Sequence, residues 1–340
     1  MIPQEKTAAV TRGLREAFGV TAFEEIRMLT RGLSSALVFR IVVGGSPFLL
    51  RIITRTDAVN EPTRQFSCMR AAAEIGLAPR VWYTSIDDRI SITDFVEAVP
   101  FPAMEAIVRM PTVLQRLHAL PPFPKVMNYA TLDGFIRRFQ AANILPKGET
   151  DELFARYAQL AAVYPRHDAD MVSSHSDLKP ENILFDGHRV WLVDWEAAFL
   201  NDRYFDLAVV ANFVVTSDAE ERAYLREYFG QPPDEYQLAR FFLMRQVLHM
   251  FYAAIFLLLG SSGKPVNRSE DAPAFEDFHR RIWAGEVDLG DNDMKIAYGR
   301  VHWDQLCRNM RWARFDEALK MVSDRHASPK GVQQLLLVTQ

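Results

Sequence analysis

Cysteine is almost absent from this chain: Cys68 and Cys307 are the only two. Two thiols so far apart give neither a zinc-type spacing nor a disulfide framework, and both are expected to be reduced in a cytosolic protein. No charge of one sign dominates, since 39 Lys and Arg face 43 Asp and Glu for a formal charge of −4. With no basic stripe or aromatic platform, that balance excludes a general nucleic-acid or membrane-surface binder. Internal repeats and low-complexity blocks are missing too. The opening MIPQEKTAAV has no basic stretch followed by an apolar run, so no secretory leader is expected. One long apolar run exists, Phe241 to Leu259, but it carries Arg245, Gln246 and His249. A guanidinium facing lipid is costly, so the run reads as a buried core helix rather than a membrane span. What remains is the composition of a soluble globular protein, 49% hydrophobic and 24% charged over 340 residues, enough for one large domain or two lobes.

Along the chain the hydrophobic period changes twice. Residues 5–18 repeat Ala9, Val10, Leu14, Ala17 and Phe18 at helical spacing. ALVFRIVV (36–43), the Gly44-Gly45-Ser46 turn and PFLLRII (47–53) predict an antiparallel hairpin. Glu61 to Ile75 predicts a helix opened by Pro62 and closed by Gly76. VWYTSI and ISITDFV, joined at Asp87-Asp88, predict a second strand pair. From about residue 98 the pattern is helical over 103–120, 131–143 and 150–164, with Pro111 expected to kink or interrupt the first and Thr150 to start the third. NILF and VWLVDW around Asp186-Gly187 return briefly to strand, and helices resume near 204, with 260–274 as a surface loop. The expected organisation is a β-rich lobe over 1–97 and a mainly helical lobe over 98–340.

The densest chemistry lies in SSHSDLKPENILF (173–185). Its skeleton is H-x-D-x-x-x-x-N, and Asp194 in V-D-W-E follows the Asn by twelve residues. This spacing suits phosphoryl transfer. A loop carboxylate, Asp177, can orient a hydroxyl and accept its proton, while Asn182 and Asp194 offer oxygen ligands to Mg²⁺. The intervening hairpin brings those two to one end of neighbouring strands.

These residues resemble the aminoglycoside phosphotransferase and choline/ethanolamine kinase superfamily, over roughly 25–260 and most specifically over 173–213. The resemblance implies an α+β, protein-kinase-like bilobal fold with a small antiparallel β-sheet lobe and a larger helical lobe. It also implies an ATP- and Mg²⁺-dependent transfer to a small-molecule hydroxyl. Asp177 would be the catalytic base, Asn182 and Asp194 the magnesium ligands, and His175 and Asp206 structural. Lys179 would stabilise charge on the transferred phosphate. Arg51 stands where protein kinases carry a phosphate-pairing lysine, and Ser34 and Ser35 lie in the phosphate-covering loop Thr30-Arg31-Gly32-Leu33-Ser34-Ser35. Asp94, Phe95 and Val96 fall where the family pairs with adenine. The family's helix glutamate falls on Gln65, which cannot form an ion pair, and Glu61, one turn earlier, is the candidate replacement. His118 matches a helix-ending motif and reads as a buried histidine.

The acceptor is less legible. Asp194-Trp195-Glu196 replaces D-F-G, no A-P-E follows, and F-D-L-A comes too soon for an activation segment, so a protein substrate is disfavoured. Choline requires an aromatic box. Tyr252 matches its first aromatic, but Ile255 occupies the second, and Val214-Val215 follow Asn212-Phe213 where the family has a glutamate. Glu196 and Asp202 are the acidic candidates for an amine. The expectation is an amino alcohol of the choline or ethanolamine kind. Aminoglycosides, homoserine, thiamine, methylthioribose, sugars and a non-catalytic nucleotide-binding module stay open, as does a homodimer.

Overall fold

The computed structural model describes residues 2–29, 36–56, 61–125, 129–165, 170–266 and 272–327. They form two compact units that interleave in sequence. The first comprises Met1–Phe101, Ala119–Pro124 and His175–Phe199, and the second Pro102–His118, Lys125–Ser174 and Leu200–Gln340.

The first unit is built on an antiparallel sheet of β1 (Glu25–Leu29), β2 (Ala36–Val43), β3 (Ser46–Ile53), β4 (Val81–Ser85) and β5 (Ile90–Asp94), in the order β1-β2-β3-β5-β4. The two-residue turn between β2 and β3 uses Gly44 and Gly45 at φ 60 and 74, the left-handed pair that a tight hairpin needs. β3 is central, with Arg51 opposite Val38 on one side and Ser91 on the other. Alternation sends its neighbours Leu50 and Ile52 into the core, where neither is exposed, and turns Arg51 to the opposite face. The core is closed by α1 (Thr7–Phe18), whose Ala9, Val10 and Leu14 pack on Phe39, Ile41, Leu50 and Ile92. α2 (Pro62–Glu74) begins on Pro62, and the Glu61 carboxylate caps it by accepting from the Thr63 N–H.

The later part of this unit is the hairpin Ile183–Phe185 with Val190–Leu192, paired from Ile183↔Leu192 to Phe185↔Val190. Leu192 N–H donates to Leu77 O at 2.8 Å and Val99 N–H to Phe185 O at 2.7 Å. Two backbone bonds thus stitch the hairpin to residues near the sheet.

The second unit is helical: α3 (Ala103–His118), α4 (Tyr129–Ala142), α5 (Lys147–Val163), α6 (Arg203–Val214), α7 (Asp218–Phe229), α8 (Glu235–Ser261), α9 (Phe275–Trp283), α10 (Asn292–Met310) and α11 (Ala313–Ala327). Together with the sheet this is the expected α+β class. Three local expectations change. α3 runs through Pro111 without a break, because Ile107, Met110, Leu114 and Leu117 around it are buried and outweigh one lost backbone bond. α5 starts at Lys147, and Thr150 lies inside it, its hydroxyl donating back to Lys147 O. α8 extends to Ser261, so the expected loop is shorter, and residues 267–271 of it lie outside the described residues.

α8 is long and apolar enough to cross a membrane, yet 67% of its most apolar window is buried inside the protein. Its polar groups have protein partners. Arg240 is 1% exposed and pairs with Asp170 at 2.8 Å and Asp202 at 2.7 Å. Gln246 accepts from Asn309, and His249 Nδ1 lies 3.0 Å from His302 Nδ1. α10 packs along α8 at backbone distance. A Cβ on Gly299 would sit 2.9 Å from Leu257 N and 3.3 Å from Ala253 O. Gly299→Ala is therefore expected to lower stability by about 1–3 kcal/mol through overpacking. An unchanged denaturation midpoint would contradict this packing.

Candidate active site

Six of the residues singled out from the sequence meet in the first unit. Asn182 ends a short 3-10 turn, Pro180–Asn182, and is 3% exposed. Its side-chain N–H groups donate to Asp177, to the main-chain O at 2.8 Å and to Oδ2 at 2.9 Å. That fixes the Asp177 carboxylate and turns the amide oxygen of Asn182 away from it. Val193 N–H donates to Asn182 O at 3.0 Å, which sets Asp194 beside Asn182, as the hairpin reading expects. Asp194 holds φ 66, a left-handed conformation unusual for a residue with a side chain. Ser176, one residue before Asp177, holds φ 62. Two such positions flanking one site are the kind of strain that clusters where chemistry is done.

Arg51 reaches the turn from β3. Its Nη1 donates to Asp194 Oδ1 at 2.7 Å and its Nη2 to Glu196 Oε2 at 2.9 Å. A planar fork shared between two carboxylates fixes both. Glu196, expected at the acceptor, thus has one carboxylate oxygen on Arg51. Burial raises its pKa and Asp194 raises it further, against the opposing pull of Arg51. Lys179 Nζ lies 3.4 Å from Asp177 Oδ2. Burial alone would lower the lysine pKa, but Asp177, Glu181 and Asp194 outweigh it, so the pKa is raised and the ammonium is held.

Supporting contacts are visible around these groups. His175 is fully buried, its Nε2 is 2.9 Å from Val193 O, and its ring lies 4.8 Å from that of Trp195. Asp94 accepts from Trp82 Nε1 at 2.6 Å, its own N–H donates to Arg80 O, and Arg40 covers the Phe95 ring at 5.3 Å. Val96 is half-buried. Ser34 and Ser35 lie outside the described residues. Sequence reasoning missed Arg64, on α2 next to Gln65, whose guanidinium donates to Glu196 O at 2.8 Å and also to Ala198 O. The only sequence signal was its place in the helix where a charged residue was already sought. Glu61, the candidate stand-in for the helix glutamate, has its carboxylate on the Thr63 N–H and hydroxyl.

Two predicted acceptor residues lie in the second unit. Asp202 is 2% exposed; it caps α6 through Tyr204 N–H and accepts from Arg240 and from the Tyr164 hydroxyl. The expectation that it meets a substrate amine is corrected, because burial and three donors make it a structural carboxylate. Tyr252 is half-buried in a group of rings, 5.7 Å from Phe251, 6.0 Å from Tyr298 and 4.9 Å from His302. Asp206 is fully buried, with Oδ2 at 3.2 Å from His118 Nε2, and His118 Nδ1 is 2.7 Å from the Tyr228 hydroxyl. Among the described residues no group of three His, Cys, Asp or Glu side chains forms a metal site. Asn182 and Asp194 still fit magnesium, which takes hard oxygen donors and is held by one or two protein side chains plus substrate phosphates.

The small antiparallel sheet with its many helices is the protein-kinase-like fold of the phosphotransferases. The model of the phosphotransferase enzyme family (APH) matches residues 25–242, and the chain belongs to that family. It is an enzyme that phosphorylates a hydroxyl of a small molecule. No curated protein matches the chain. Among solved structures, it is similar to a choline/ethanolamine kinase family protein from Mesorhizobium loti, at 19% identity and TM-score 0.65, covering 94% of this chain and 99% of that one. An ethanolamine kinase from Plasmodium vivax matches at 14% identity and TM-score 0.59, covering 86% and 83%. A spectinomycin phosphotransferase solved with ADP and spectinomycin matches at 14% and 0.54, covering 87% and 98%.

The hairpin turn that supports this site carries its own titration. Asp186 accepts from the N–H groups of His188 and Arg189 and from Trp191 Nε1. The Arg189 N–H and the Trp191 indole are the main causes that hold its pKa down to about 2. A depressed carboxylate pKa stabilises the fold above the unfolded value, and the effect is lost as pH falls through the folded one. Asp186→Asn should therefore lower the urea midpoint at pH 7, with the gap to the parent narrowing as pH falls from about 4 toward about 2. A gap independent of pH would contradict this hydrogen-bonding.

Proposed function

We propose that the protein is an ATP- and magnesium-dependent kinase of a small amino alcohol of the choline or ethanolamine kind. The observation that carries the phosphoryl-transfer part is the Asp177–Asn182 contact beside Asp194, with Arg51 fixed on Asp194 and Glu196. In this reading residues 1–97 supply the nucleotide-binding lobe and 98–340 the mainly helical lobe with the catalytic loop and the acceptor pocket. Adenine lies against Asp94, Phe95 and Val96. Arg51, with Ser34 and Ser35, binds phosphate oxygens. Asn182 and Asp194 hold magnesium, whose charge offsets that of the phosphates.

Asp177 orients the acceptor hydroxyl and takes its proton as the oxygen attacks the γ-phosphorus in line and ADP leaves. Lys179, on Asp177, steadies the developing charge on the phosphoryl oxygens. Positioning and charge stabilisation then supply most of the acceleration. The amino-alcohol reading draws support from Tyr252. Ile255 occupies the second aromatic position, and the half-buried Phe251 ring lies 5.7 Å from that of Tyr252. A quaternary or protonated amine seated within about 6 Å of the Tyr252 ring face would be attracted by it. The cytoplasm, with its ATP and magnesium, is the proposed compartment.

The test is ADP release from Mg-ATP against choline, ethanolamine, homoserine, thiamine, methylthioribose, sugars and aminoglycosides. Choline or ethanolamine should stimulate release, and Asp177→Asn should reduce the stimulated rate by about 10²–10⁴-fold while ADP still binds. Stimulation by a neutral sugar alone would overturn the amino-alcohol reading. ADP binding with no stimulated release by any acceptor would favour a non-catalytic module. Tyr252→Ala should raise the KM for the amine at least about fivefold, in keeping with a lost cation–π contact of about 1 kcal/mol. An unchanged KM would remove Tyr252 from the acceptor site.

A further inference from the structure

We propose that Arg64 is a positioning residue for the metal-binding turn, tying the helix that has Gln65 in place of the expected glutamate to the backbone of that turn. The inference rests on the reading of Asp194 as a magnesium ligand. α2 faces the turn Trp195–Ala197 that follows Asp194. Arg64 places both terminal nitrogens of its guanidinium on main-chain oxygens, those of Glu196 and Ala198. One helical turn on, Cys68 Sγ approaches Ala198 O at 4.0 Å. Among the described residues no carboxylate pairs with Arg64, so its fork serves the backbone of the turn.

Other contacts hold other parts of the turn, and the Ala198 N–H closes it on Trp195 O at 3.1 Å. The Trp195 indole is held by Leu192 O at 3.2 Å and by the His175 ring. Those contacts fix a side chain, whereas Arg64 takes the carbonyls of Glu196 and Ala198 as a pair. The carbonyls matter because Asp194 holds a left-handed conformation with a side chain present, which persists only where the surroundings over-determine it. Glu196 is gripped at both ends, its main-chain oxygen by Arg64 and its carboxylate by Arg51. Arg51 in turn reaches the Asp194 carboxylate. Arg64 thus acts on Asp194 through the backbone, and Arg51 acts on it directly. Partners that orient a metal ligand without touching the metal commonly control its affinity.

The experiment uses the full chain and compares Arg64→Ala and Arg64→Lys with the parent. Mn²⁺ binding to the ADP-loaded protein is followed by electron paramagnetic resonance, ADP binding is measured in EDTA, and thermal melting is recorded without nucleotide. Arg64→Ala should weaken Mn²⁺ binding about 10–100-fold, the range for loss of an orienting partner. ADP affinity in EDTA should not change. Arg64→Lys, which can satisfy one carbonyl but not two, should fall between. Unchanged Mn²⁺ affinity in Arg64→Ala, with Asp194→Ala weakened as a control, would overturn the proposal and leave the metal assignment standing. Equal losses of Mn²⁺ and metal-free ADP binding would also overturn it, by showing general disruption. If Asp194→Ala itself binds Mn²⁺ as the parent does, the metal assignment fails and the role of Arg64 fails with it.

Discussion

The site depends on one guanidinium held between two carboxylates. Arg51 leaves the central strand of the sheet and divides its fork between Asp194 and Glu196. All three groups are at least partly shielded from solvent, and Arg51 is 14% exposed at its side chain. A shared cation in such a place is more strongly bound than a surface pair, and the carboxylates would repel each other without it. The rest of the site is arranged around this contact. The sheet must present Arg51 on the face opposite its apolar core, and the hairpin must deliver Asp194 at the height of β3. The loop at 175–182 must then carry Asp177 and Asn182 alongside.

The sheet meets the first demand through strict alternation. Leu50 and Ile52 are fully buried on one face, so the residue between them must point to the other. A register slip of one residue would bury Arg51 and expose both neighbours. The hairpin meets the second through backbone bonds to Leu77 and Val99, and Asp186 locks its tip. The loop meets the third through Asn182, which has two tasks. Its side-chain N–H groups fix Asp177, and its main-chain oxygen takes the Val193 N–H that brings Asp194 alongside. Replacing it with aspartate would lose the donor to Asp177.

Much of this was legible in the amino-acid order. Alternation placed β2 to β5 to within a few residues, and Gly44-Gly45 marked the turn. H-x-D-x-x-x-x-N with Asp194 twelve residues on pointed to phosphoryl chemistry. Three things were not legible, for physical reasons. Asp202 looked like a free acid because sequence does not show that Arg240, far along the chain, would be buried against it. Arg64 drew no reading from the sequence, since its partners are backbone carbonyls, which carry no side-chain signature. Pro111 looked like a break because local propensity is overridden when both flanking turns are buried. Glu196 is an intermediate case: its acidity was noted, but a partner from another strand was not predictable from spacing.

The central claim is that this chain moves the terminal phosphate of a nucleotide onto a small hydroxyl with Asp177 as the base. Phosphorus nuclear magnetic resonance tests it most directly. Mg-ATP, the protein and choline or ethanolamine are followed until the γ-phosphorus signal changes. The account predicts a growing phosphomonoester resonance matched by ADP, and neither in Asp177→Asn. A γ-phosphorus that appears only as inorganic phosphate, or a monoester that forms at the same rate in the variant, would contradict it.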